Sequence, residues 1–134
     1  MEIKASKSRF KGAAVVETAI VFPVLLLLTL GVIQYSWLFL KAQQITNAAR
    51  CGARAAVLPD ATTGSVGLAV TNALAASGMT VGAPVITPSI DPGVGYDVTV
   101  RLTSTSSVSL LGDVSFLPTP TELHASVTMA KEGP

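Results

Sequence analysis

TAIVFPVLLLLTLGVIQYSWLFL, residues 18–40, decides the architecture. No Asp, Glu, Lys or Arg interrupts these 23 residues. As an α-helix rising about 1.5 Å per residue, the run spans ~35 Å, enough to cross a hydrocarbon core of roughly 30 Å. A buried core helix is one competing reading, but such helices rarely stay uncharged beyond about 14 residues. A cleaved secretory signal is another. Its apolar region covers only about 7–15 residues and ends at a small-residue cleavage site, and no such site comes promptly here.

Composition agrees with a retained membrane segment. The chain has 134 residues, one domain's worth on a prior of ~100–200. Charged residues make up 13%, about half the ~25% of a soluble domain. Hydrophobic residues make up 49% and aromatic residues 5%, and the mean hydropathy is +0.57. Disorder requires the reverse balance. A net charge of +1 supplies no basic surface for nucleic acid. A single cysteine builds no intrachain disulfide framework.

The flanks of this run set the orientation. Residues 1–12 hold Lys4, Lys7, Arg9 and Lys11 against Glu2, a local balance of +3. From Ala42 onward, four cations (Arg50, Arg54, Arg101, Lys131) face six anions (Asp60, Asp91, Asp97, Asp113, Glu122, Glu132). By the positive-inside rule, residues 1–12 form a basic cytoplasmic leader and the C-terminal part lies outside the inner membrane. Tyr35 and Trp37 fall at the outer interface, and Lys41 is placed to snorkel to the headgroups.

The helix is expected to continue past the membrane. Residues 41–58 (KAQQITNAARCGARAAVL) are rich in good helix formers, and Pro59 ends them. A transmembrane and stalk helix over residues 13–58 would run about 70 Å. Pro23, lacking an N–H, is a kink candidate within it. Ala48, Gly52 and Ala56 recur every four residues, with Ala49 and Ala53 beside them. Small residues at this spacing let backbones approach closely, either in another helix or in the chain's own domain.

Residues 59–134 read as a small exported α+β domain. Residues 66–76 form a short helix with Leu68, Val70, Ala73 and Leu74 aligned, Ser65 as N-cap and Gly78 as stop. Residues 80–90, broken by Pro84 and Pro88, read as an edge strand, and Asp91-Pro92-Gly93 as a turn. Tyr96, Val98, Val100 and Leu102 alternate with polar residues in a half-buried strand, and Leu123, Ala125, Val127 and Met129 do so in another. Residues 104–120, with Leu110, Leu111, Phe116 and Leu117, form the loop between them. The fold class is therefore α+β: a long N-terminal transmembrane and stalk helix, a short helix, and a small antiparallel sheet packed on the upper stalk.

Catalytic chemistry has few candidates. His124 is the only histidine, in an alternating strand without a visible partner, and reads as a surface residue. Cys51 is the only cysteine and would need a base to serve as a nucleophile. It reads as a small buried stalk residue or as half of an intermolecular disulfide. Residues 93–95 (GVG) lack a phosphate-loop lysine and a helix after them. No metal site, cofactor, small-molecule substrate or enzymatic activity is expected.

The most specific stretch precedes the membrane run: KGAAVVETAIVFPVLLLL, residues 11–28. A basic segment ends at Gly12, four apolar residues come next, and a lone acid, Glu17, stands at the membrane edge. This resembles a type IV prepilin signal, which implies cutting by a membrane peptidase between Gly12 and Ala13, with Glu17 fifth in a mature chain of 122 residues. Together with the Pro-Val-Leu-Leu-Leu-Leu run from Pro23 and QITNAARCGAR at residues 44–54, residues 11–53 resemble the TadE-like family, pseudopilins of the tight-adherence (Tad, or Flp) pilus. Thr18 stands where that family often has an aromatic residue, and Cys51 where an acid is common. The resemblance implies a membrane-anchored pseudopilin whose partners are the inner membrane, other pilins and pseudopilins, Tad assembly proteins and the prepilin peptidase. The alternative is an anchored scaffold or binding subunit of a secretion or envelope complex that never enters a filament. Glu17 would pair with the new α-amine of a neighbouring subunit; otherwise it is an acid stabilised in the first turn of a helix.

Overall fold

The computed structural model describes residues 6–88, 90, 95–104, 110 and 120–131, without the side chains of residues 6–11. It contains α1 (Ser6–Ala56), α2 (Thr63–Leu74), β1 (Val85–Thr87), β2 (Asp97–Thr103) and β3 (His124–Ala130). The α+β class holds. The chain divides into two compact units, Met1–Tyr35 and Ser36–Pro134.

Among its described residues, the first unit is helix alone. Its large side chains lie open: Leu25, Leu26, Leu27 and Leu28 are 44–64% exposed, and the most apolar window of α1 has no buried residue. Water does not tolerate such a surface over this length, whereas lipid does. The polar groups within it are satisfied locally. The hydroxyls of Thr18 and Thr29 donate to the carbonyls of Ala14 and Leu25, each at 2.8 Å, so neither needs a partner outside the helix. Pro23 sits inside the helix, where its ring nitrogen has no proton for the turn before it. The helix begins at Ser6 rather than near Ala13, because nothing in residues 6–12 except Gly12 opposes helix.

The second unit holds the core. Ile45, Ala48, Ala49, Gly52, Ala53 and Ala56 of α1 point inward and are buried. The α-helix stops at Ala56, with one further bond from Val57 N–H to the Ala53 carbonyl at 3.2 Å.

Helix α2 begins earlier than the sequence implies. Thr62, not Ser65, is its N-cap: Ser65 N–H donates to Thr62 Oγ1 at 3.1 Å, and Thr62 N–H to Ser65 Oγ at 3.0 Å. This is a capping box with serine in the place where Glu or Gln usually reaches back. The buried stripe is Val66, Val70 and Leu74 at strict four-residue spacing. Leu68 (66% exposed) and Ala73 face away, so the expected alignment of Leu68, Val70, Ala73 and Leu74 is corrected to that stripe. The helix ends at Leu74 rather than Ala76. Gly78 comes after it with φ +62°, a left-handed conformation that favours glycine.

The sheet has order β1-β2-β3, antiparallel throughout. Central β2 buries Val98, Val100 and Leu102 completely. Val100 pairs with Ile86 on one side and Val127 on the other. On the outer face, the Thr99 and Thr128 hydroxyls meet at 2.7 Å. Tyr96 does not continue the buried face. It lies before the strand and is 61% exposed, its carbonyl accepting from Lys131 N–H at 2.9 Å. The edge strand is only three residues long, held between Pro84 and Pro88, with Val81 adding an isolated bridge to Ser104. The 91–93 turn and the loop residues Leu111, Phe116 and Leu117 lie outside the described residues.

Candidate functional site on the long helix

Two glycines of α1 stand in opposite surroundings. Gly12 is exposed, and a Cβ added there would meet nothing within 4 Å. Its φ is not left-handed, so neither packing nor backbone conformation requires glycine. Within a helix it costs about 1 kcal/mol relative to alanine. Ala13 and Glu17 beside it are exposed as well. Glu17 has no ion pair among the described residues. It also lies well inside α1, whose first turn holds no acid, so the helix-dipole account of Glu17 does not apply to the intact helix.

Gly52 is the reverse. A Cβ there would lie 2.8 Å from Val70 Cγ2, 3.4 Å from Val100 Cγ1 and 3.5 Å from Val66 Cγ1. The missing side chain is what lets α1, α2 and β2 meet. Ala48 and Ala56, each fully buried, belong to the same core. Of the two readings of this small-residue stripe, packing within the chain's own domain is the one these contacts display.

Lys41 makes a contact the sequence does not show. It is buried within its own unit. Its ammonium donates to the Ser77 carbonyl at 2.6 Å and lies 4.8 Å over the Trp37 ring. A charge-assisted hydrogen bond and a cation–π contact together replace water around the ammonium. Sequence offers no signal for this contact, because Ser77 is 36 residues away.

The chemical candidates, His124 and Cys51, lie at or near the surface. His124 has partners after all: its Nδ1 lies 3.0 Å from Thr103 Oγ1, across the β2–β3 pair, and its Nε2 lies 3.6 Å from Glu122 Oε2. Both the His124 and Glu122 side chains are about half exposed or more, so solvent screens the pair. Cys51 is a half-buried free thiol rather than a fully buried one. No group of three metal-ligating side chains forms among the described residues.

The glycine without a structural reason, the acid five residues on and the long apolar helix after them form one segment. The TadE-like protein family model matches residues 12–54. This TadE-like segment opens on Gly12 itself and closes just past the buried Gly52. It therefore spans both the membrane run and the wall of the core. The TadE-like family is associated with Tad pili and is structural rather than known for catalysis. No curated protein and no solved structure matches the chain.

Proposed function

We propose that the chain is a membrane-anchored pseudopilin that takes part in assembly or initiation of Tad pili, and that a prepilin peptidase cuts it between Gly12 and Ala13. The observation carrying this reading is Gly12. It is exposed, helical and unpacked, and it destabilises its helix without any structural return. A peptidase site supplies the missing reason, because a peptide bond must leave the helix to enter an active site, and glycine makes that local opening easier.

Cutting there would change the electrostatics of the remaining helix. A helix that began at Ala13 would have Glu17 as its fifth residue, just past the first turn and far nearer the positive end of the dipole than in the intact helix. The new α-amine would offer a partner for the Glu17 carboxylate of a neighbouring subunit entering an apolar bundle, where an unpaired charge is costly. Removal of the +3 leader would take away the charge that holds the N-terminus in the cytoplasm. Pro23, exposed on the apolar helix, would be available to the same bundle.

Mass spectrometry of the protein purified from cells with and without the peptidase tests this. Ala13 is the expected N-terminus only where the enzyme is present. Residues 1–12 retained in both would overturn processing and leave an anchored scaffold that does not enter the filament.

A further inference from the structure

The chain has a second uncharged run. Residues 61–90 contain no Asp, Glu, Lys, Arg or His, where a soluble stretch of that length would carry about seven charges. It covers α2, the turn after it and β1. Burial does not demand this composition. Leu68 is 66% exposed, and Ala75, Ala76, Gly78 and Thr80 are exposed too.

Contacts along α1 say where this run lies. Gly52 faces Val66 and Val70, whereas Lys41, eleven residues earlier, reaches Ser77. Descending α1 therefore means ascending α2, so α2 returns antiparallel to α1 and its C-terminal turn comes level with Lys41. The Trp37 ring stands at the same level beneath the ammonium. Residues 36–40, the outer end of the first uncharged run, belong to the same compact unit as α2 and the sheet. Within this unit, the turn after α2 is thus level with Trp37 and Lys41.

We infer that the turn after α2, residues 75–80, lies in the headgroup layer of the bilayer and forms a second, shallow membrane contact. Next to it is a groove of about 330 Å³ lined by Thr71, Leu74, Ala75, Gly78, Met79 and Val81, without a charged group. The occupant is the lipid interface. The turn is level with Trp37 and Lys41, residue types that favour the interface, and its uncharged surface can rest at the boundary between headgroups and acyl chains without burying a charge. Lys41 keeps its ammonium on the Ser77 carbonyl and so fastens this turn at the membrane level. The inference rests on the membrane anchor, and on neither processing nor pilus assembly.

Depth-dependent quenching tests it. The full chain, on a Cys51→Ser background, carries a fluorescent label on Cys placed at Ala75, Ala76, Asp60 or Leu28. Each variant is put as one copy per nanodisc of phosphatidylcholine and phosphatidylglycerol with nitroxide-bearing lipids. Labels at Ala75 and Ala76 are expected within about 5–10 Å of the headgroup–acyl boundary and quenched at least about twofold more than the Asp60 label. The Leu28 label is expected to respond to deep quenchers. Labels at Ala75 and Ala76 quenched no more than Asp60, with Leu28 quenched, would overturn the inference and spare the anchor. An unquenched Leu28 would overturn both. Shielding of Ala76 from aqueous reagents that needs two copies per disc would assign the surface to a second chain and also defeat the lipid reading.

Discussion

The two halves of α1 are both apolar, and they differ in the size of what they present. Residues 25–28 are four leucines, all substantially exposed. Residues 48–56 offer Ala48, Ala49, Gly52, Ala53 and Ala56, all buried. Lipid tails conform to any outline, so bulky side chains facing them maximise contact without a matching partner. A protein neighbour has a fixed outline, and only small side chains admit its backbone. Hydropathy does not separate these cases; side-chain volume does.

The contrast breaks first in the membrane half. Leu28→Arg should cost about 3 kcal/mol of insertion free energy, because a charge near the bilayer centre is unpaired there. Carbonate extraction of membranes should show a reduced integral fraction. The same change should leave the sheet's thermal transition in detergent unaltered, since Leu28 is 64% exposed.

In the other half, Gly52→Leu should leave insertion intact and cost the second unit up to about 3 kcal/mol by overpacking against Val70, Val100 and Val66. Denaturant unfolding of the detergent-solubilised protein reads this directly, and an unchanged midpoint would refute the close approach. The smallest effect is expected at the leader. Gly12→Ala should stabilise its helix by about 1 kcal/mol, since the added methyl meets nothing. Helicity by circular dichroism should hold or rise. A loss would mean that Gly12 has a structural duty after all.

Much of this was legible from residue order. The span, the small-residue stripe, and the alternation of Val98, Val100 and Leu102 each derive from one period and one composition. The misses share a cause: two readings satisfied local rules, and the structure chose between them. Ser65 and Thr62 are both good caps, and Thr62 takes the N-cap while Ser65 reaches back to it. Leu68 is apolar enough for a core, but the position of α1 selects Val66 beside the expected Val70 and Leu74. Lys41 was legible as a lysine at the end of the apolar run, but its bond to Ser77, in the turn after α2, was not. Of the candidate sites, sequence assigned Gly12 to processing and Gly52 to close packing, but did not name Val66, Val70 and Val100 as the neighbours of Gly52.

The stripe on α1 has one more consequence. Among the described residues, five of the thirteen buried apolar residues, Ile45, Ala48, Ala49, Ala53 and Ala56, come from the helix that also supplies the anchor. A protease that clipped the chain after α1 would release residues 59–134 without one wall of their interior. A cut after α1 would therefore open the interior of the domain as it shed it, whereas a cut before Ile45 would leave that interior complete.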